Sequence, residues 1–256
     1  MQHKIITTED GSHTLFVPEL NEHYHSVNGA IQESKHVFID TGFKYFLEKN
    51  INQDDQKSIN ILEIGFGTGL NAFLTLIESQ KLNVNVFYQS VELYPVSIKE
   101  AEKLNYFELI NQSEQKKFKQ QTNLSESEHF KVIDKTLFMK LHTTPWERAV
   151  DILPEFTLLK QKFDFSKCEK IRADRLFNLI YFDAFAPDKQ PEMWTEDIFG
   201  KIYSLSDADA VFTTYCAKGV VRRMLQSAGF KMERLPGPPG KREILRGSKL
   251  LIFDTE

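Results

Sequence analysis

Hydrophobic positions in this chain fall in short blocks that switch between strand-like runs and helical spacing, and that alternation predicts a layered α/β fold. Asn60-Ile-Leu-Glu-Ile64 is an apolar run that stops at Gly65, as a strand buried on both faces would. Leu70 to Gln80 follows with an apolar helical face, and Val84 to Val91 is β-rich and closes at Glu92. Pro95 is read as the start of the next helix, where its missing N–H costs little. Phe156 to Lys160, Phe177 to Phe182, Ala210 to Tyr215, Phe230 to Leu235 and Ile244 to Phe253 supply further strands. Met193 to Leu205 and Gly219 to Ala228 read as helices, the second stopped by Gly229. The sum is a mainly parallel seven-stranded sheet flanked by helices.

Two segments stand outside this alternation. Residues 1–50 form an N-terminal extension, with a strand or hairpin at His13 to Pro18 and a loop from His23 to Ala30 that leads into a helix. This extension is expected to cap the site of the main domain, residues 51–256. Within that domain, residues of about 105–152 are mostly polar and helical around the loop His142-Thr-Thr-Pro-Trp146, and read as an insertion. Asn50 to Asn60 is polar and reads as a loop.

Composition bounds the class without naming it. A length of 256 residues with 41% hydrophobic and 12% aromatic side chains suits one large globular domain, and most of the 21 phenylalanines are read as core. Cys168 and Cys216 are the only cysteines, too few for a disulfide framework and without metal-ligand spacing. No N-terminal apolar run resembles a secretion signal, and no stretch approaches the roughly 20 apolar residues of a membrane helix. A cytoplasmic protein without membrane contact is expected. His23 and His25 lack a third ligand, so no metal is expected.

Charge is unevenly spread. Between Ala217 and Lys249 nine cations face only Glu233 and Glu243, which gives this segment +7 and leaves −11 for the rest of a chain whose net charge is −4. Such a segment reads as a phosphate-binding patch or as a solvated face.

The candidate chemistry lies where strands end. Glu63-Ile-Gly-Phe-Gly-Thr-Gly-Leu70 joins the first core strand to its helix, the usual ligand crevice of a doubly wound sheet. Its glycines permit close approach of a ligand, but their spacing is not the G-x-G-x-x-G of dinucleotide folds, because Leu70 stands where the third glycine belongs. An NAD-dependent oxidoreductase is therefore disfavoured. The spacing resembles motif I of the class I S-adenosylmethionine-dependent methyltransferases, whose fold is Rossmann-like. On that reading Glu63, Gly65, Phe66, Gly67, Thr68, Gly69 and Asn71 are cofactor-site candidates. Glu92, 23 residues beyond Gly69, is placed to accept both ribose hydroxyls, and Asp164 is a candidate for the adenine amino group.

The fourth strand runs into Asp183-Ala-Phe-Ala-Pro187. An acid, an aromatic and a proline in that order suit amine methylation. The carboxylate accepts an N–H and aims the lone pair at the methyl, the ring packs on a base, and proline stiffens the loop. An ordinary aspartate pKa of about 3.9 argues that Asp183 orients the amine more than it deprotonates it. Asp183 also counts among the cofactor-site candidates.

Glu63 to Asn71, Asp183 to Pro187 with Pro191-Glu-Met-Trp194, Gly240-Lys-Arg-Glu-Ile244 and Tyr24-His-Ser-Val-Asn-Gly-Ala30 with Glu33 and Val37-Phe38 together resemble the methyltransferase half of the MnmC family. The resemblance implies methyl transfer from S-adenosylmethionine to the amine of 5-aminomethyl-(2-thio)uridine at the tRNA wobble position. It also implies a stand-alone methyltransferase without FAD, since the sequence ends at Glu256 where bifunctional members continue into an oxidase. Tyr24, Ser26, Phe185 and Pro187 are then substrate-site candidates. Lys241 and Arg242, after the stiff run Pro236 to Gly240, are expected to hold phosphates of the anticodon loop. The alternatives are a methyltransferase of a small amine, for which the basic patch is unnecessary, and a non-catalytic module of the same fold.

Overall fold

The computed structural model describes residues 3–50, 58–121, 135–167, 171 and 174–250. Cys168, most of the Asn50 to Asn60 loop and the end of the expected last strand lie outside the described residues. The described residues form two sheets. The smaller consists of β1 (Lys4–Thr7), β2 (His13–Val17) and β3 (Glu22–His23), antiparallel throughout. A continuous helical stretch follows: α1 (Ala30–Ser34), a π-helical run (Lys35–Lys44) and α2 (Tyr45–Lys49).

The main sheet then begins. Its strands are β4 (Ser58–Ile64), β5 (Asn85–Glu92), β6 (Ala149–Leu153), β7 (Phe156–Lys162), β8 (Phe177–Phe182), β9 (Ser206–Thr214), β10 (Lys231–Pro236) and β11 (Glu243–Ser248). The helices are α3 (Leu70–Leu82), α4 (Ile98–Ala101), α5 (Tyr106–Gln121), α6 (Lys135–Thr143), α7 (Glu196–Leu205) and α8 (Gly219–Ser227). Strand order is β10-β11-β9-β8-β4-β5-β7-β6. The inner strands β9, β8, β4, β5 and β7 are parallel, β11 and β6 run antiparallel to them at the two sides, and β10 pairs antiparallel with β11.

Among the described residues the main sheet has eight strands, one more than expected. The extra one is β6, assigned above to the insertion. Its outer face is wet and only Ile152 is buried, so it lacks the apolar run that marks an inner strand. Pro154 and Glu155 join it to β7 as an edge hairpin.

Three helix boundaries also differ. Pro95 precedes its helix: Ser97 is the N-cap of α4, in a reciprocal capping box with Glu100. The stretch Met193 to Leu205 is broken, with a 3₁₀ turn at Pro191–Met193 and a fresh start at Thr195, whose side chain accepts from the Ile198 N–H. His142 belongs to α6 rather than to the following loop, because Phe138, Leu141 and His142 form one buried face.

Hydrophobic packing ties both irregular segments to the main sheet. Val37, Phe38, Ile39 and Phe43 of the π-helical run join Phe73, Leu76 and Tyr181 in one core cluster, as do Tyr106, Phe138 and Leu141. The other face packs Phe182, Trp194, Phe199, Phe212 and Phe230. Strand order reverses beside β4: β5 and β7 extend to one side, and β8 crosses back to the other. A crevice at the carboxyl ends of β4 and β8 follows from that reversal.

Candidate active site

A cavity of about 530 Å³ occupies this crevice, within the usual range for a small-molecule site. Two strand ends set its floor. Ile64 of β4 lies beside Phe182 of β8, and the Asp183 N–H donates to the Ile64 carbonyl at 2.9 Å. Gly65 and Asp183 thus stand next to each other at one edge of the sheet. A side chain at Gly65 is excluded twice over: φ is +97°, and a Cβ would meet the Asp183 carbonyl at 2.6 Å.

The cofactor half is built on Glu92. One carboxylate oxygen accepts the Gly67 N–H at 2.9 Å and the other the Tyr94 N–H at 2.8 Å. Each oxygen keeps a lone pair for a further donor, as two ribose hydroxyls require. Burial raises the Glu92 pKa, opposed chiefly by these backbone N–H groups. Gly67, at φ +49°, has the Tyr24 ring 3.0 Å from where a Cβ would stand. Phe66, Thr68 and Asn71 line the cavity with them.

Glu63 and Gly69 do not line it. Glu63 is fully buried beneath the loop, accepts from Ser90 Oγ at 2.7 Å, and has its pKa pushed up to about 8 by burial. Gly69 packs against His142 and Phe66 and caps α3. Asp164 does line the cavity, and it also caps its own turn: one oxygen accepts from Ser166 N at 3.1 Å and from Ser166 Oγ at 2.6 Å. These bonds lower its pKa.

The reaction half centres on Asp183. Asn71 Nδ2 donates to its Oδ2 at 2.8 Å, and among the described residues no donor reaches Oδ1. Burial, reinforced by the charge of Glu33, pushes its pKa up to about 7, with the Asn71 bond and Lys241 pulling the other way. The ordinary-aspartate expectation is corrected: this carboxyl is basic enough to take a proton near neutrality. Tyr24 and Phe185 face each other edge-to-face at 5.0 Å on the wall, and Ser26 lies beside them. Trp194 fixes the loop by donating its indole N–H to the Phe185 carbonyl at 2.8 Å. Pro187 and Arg242 are not part of the lining, and Arg242 is exposed. Lys241 turns inward, against the expectation that it projects toward phosphate, and is ion-paired with buried Glu33.

Several residues escaped sequence reading. Tyr215 lines the cavity just past β9 and donates its hydroxyl to the Ala184 carbonyl at 2.9 Å; its position at a strand end was the available signal. His25 Nε2 pairs with Thr68 Oγ1 at 2.7 Å, and burial drives its pKa down to about 4, leaving a neutral ring. Behind the loop, His142 Nε2 meets the Thr68 carbonyl at 3.2 Å. Lys160 Nζ donates to the His142 carbonyl at 2.8 Å and lies over Trp146 and Phe66. Nothing in a strand pattern flags such a lysine. Among the described residues no His, Cys, Asp and Glu cluster suited to a metal occurs, and no helix is long and apolar enough to cross a membrane.

Residues 150–250 match the model of a family described as S-adenosyl-L-methionine-dependent methyltransferase. The tRNA 5-methylaminomethyl-2-thiouridine biosynthesis bifunctional protein MnmC of Leptospira borgpetersenii is 32% identical over 228 residues, covering 88% of this chain and 32% of that protein. Its namesake in Pseudomonas syringae is 30% identical over 234 residues, covering 90% and 32%. The chain thus spans about a third of the length of these relatives. The crystal structure of MnmC2 from Aquifex aeolicus superposes with a TM-score of 0.72 at 25% identity, over 100% of this chain and 73% of that one. The chain therefore has the class I S-adenosylmethionine-dependent methyltransferase fold, and over most of its own length it is similar to about a third of the MnmC proteins.

Proposed function

We propose that this chain transfers the methyl group of S-adenosylmethionine to the primary amine of 5-aminomethyl-(2-thio)uridine at the tRNA wobble position. The observation that carries the reading is the placement of Asp183, half-buried and basic, beside the Gly65 to Gly67 loop in one cavity. Glu92 would hold the ribose, Asp164 the adenine amino group, and the backbone at Gly65 and Gly67 would let the cofactor lie close. Bound there, S-adenosylmethionine supplies an activated methyl group for displacement by a nitrogen lone pair. The chain's own work is to orient the amine, keep water out and accept its proton. Asp183 Oδ1 takes an N–H of the amine, and Asn71 holds the other oxygen so that the carboxylate cannot swing. Tyr24 and Phe185 would flank the flipped base, which costs little to unstack in an anticodon loop.

Residues 1–50 act in this reading as the cap on the site, and the exposed cations of the C-terminal segment, Arg242 among them, hold the anticodon-loop backbone. A tRNA substrate puts the work in the cytoplasm. Methyl transfer is redox-neutral, so no FAD takes part in this step.

The test is methyl transfer by the purified chain from labelled S-adenosylmethionine to tRNA carrying the aminomethyl group, read by nucleoside mass spectrometry. We expect the methylaminomethyl nucleoside with the wild-type chain and none with Asp183→Ala. Transfer to free polyamines but not to tRNA would overturn the assignment of substrate.

A further inference from the structure

We propose that Lys241 and Glu33 form a charge-setting pair for the amine subsite, in which Lys241 neutralises Glu33 so that the substrate nitrogen meets Asp183 as the single free carboxylate. The inference rests on the methyl-transfer reading above and assigns the pair a positioning role in it. All three side chains line the same cavity. Glu33 is 7% exposed and accepts the Ser26 N–H at 2.7 Å with one oxygen, while Lys241 Nζ contacts the other. The ammonium also lies 3.9 Å from the centroid of the Tyr215 ring, whose hydroxyl is tied to the residue after Asp183. A turn holds the lysine in place: Gly237 N–H donates to the Arg242 carbonyl at 3.1 Å, and Lys241 N–H to Pro238 at 2.9 Å.

The chemistry explains why such a pair is needed. An alkylammonium has no lone pair and must lose a proton before it attacks. Two buried carboxylates would hold it as the ammonium, and would also repel each other until one took up a proton. With Lys241 present the three groups carry −1 in place of −2. The lysine charge also lowers the proton affinity of Asp183 and of the bound amine. Among the described residues, the groups that interact with Asp183 are Asn71 on α3, Glu63 on β4, Tyr88 on β5, Glu33 on α1, Tyr215 after β9 and Lys241. Lys241 is the one cation among them.

The test is a charge cycle with two readouts. The first is the pH profile of methyl transfer, kcat/KM against pH, for wild type, Lys241→Met, Glu33→Gln and the double variant. The second needs no substrate: the carboxyl ¹³C shift of Asp183, assigned with Asp183→Asn, is titrated in the same proteins. Lys241→Met should move both midpoints up by about one pH unit, with activity recovering at alkaline pH. Glu33→Gln should move them down, and the double variant should return toward wild type. Lys241→Gln replaces the methionine variant if that one does not fold. Unmoved midpoints with a loss of rate at every pH would overturn the pair's role. If the wild type methylates no tRNA, the proposed function fails while the carboxyl titration still decides the pair.

Discussion

Gly65→Ala tests the geometry on which the whole site depends. The substituted residue would carry a side chain at φ +97°, a region that costs an L-residue about 1–2 kcal/mol. Its Cβ would stand 2.6 Å from the Asp183 carbonyl, and since such contacts are essentially never under 3.0 Å, one of the two loops must move by at least 0.4 Å. The atom in the way is backbone, and it belongs to the residue whose N–H closes the β4–β8 ladder on Ile64. Weakening that buried bond adds about 1–2 kcal/mol. The total is roughly 2–4 kcal/mol, divided between cofactor affinity and fold stability. Expressed in binding alone, it weakens S-adenosylmethionine roughly 30- to 700-fold. Expressed in stability alone, it lowers Tm by roughly 5–15 °C. Titration calorimetry and thermal denaturation on the same samples measure both. An alanine variant with Kd within threefold of wild type and an unchanged Tm would refute the claim that the two loops touch.

If Glu92 holds the ribose as proposed, Glu92→Ala would remove two charge-assisted bonds to it and should weaken S-adenosylmethionine about 100-fold by calorimetry, roughly 3 kcal/mol. Because Asp183 titrates at about 7, kcat/KM should fall tenfold per pH unit below that value. Asp183→Asn should flatten this limb and lower the rate roughly 10²- to 10⁴-fold, as read in labelled-methyl assays. Lys160→Met probes the support behind the loop. Burial pulls the lysine from 10.5 down to about 8, so between those values the unfolded chain binds the extra proton and folding gains stability as pH rises. Urea titrations should therefore show wild type gaining roughly 2 kcal/mol on Lys160→Met between pH 8 and 10, once solvent screening is allowed for.

How much was legible in the sequence follows from what each signal depends on. The inner strands announced themselves because both faces are buried, which leaves an apolar run such as Leu179 to Phe182. β6 did not, because an edge strand buries one residue and looks like polar helix on either side of it. At the site, residues fixed by local chain geometry could be read: the Gly65 to Gly69 turn, Glu92 and Asp183 all sit at strand ends. Residues recruited across the fold could not. Glu33 meets Lys241 across more than 200 positions, and no local pattern marks either as the other's partner. The same separation explains Lys241 itself, which in sequence belongs to a basic segment and in space belongs to the cavity.

Burial of the amine subsite also bears on how the reaction starts near neutral pH. In water an alkylammonium of lysine type titrates about 6.5 units above an aspartate, so the proton stays on nitrogen. Asp183 at about 7 closes roughly half of that gap. The remainder falls to the substrate side, and desolvation acts there in the helpful direction. It disfavours the carboxylate–ammonium pair as a whole and favours the neutral acid beside the neutral amine. A cleft that excludes water thus moves the proton toward Asp183 from both ends, whereas an unneutralised Glu33 would raise the proton affinity of the amine as well as that of Asp183. On the proposed reaction the site needs one carboxylate made basic by burial and a second one silenced, and the Lys241 ammonium, over Tyr215 and paired with Glu33, is placed to do the silencing.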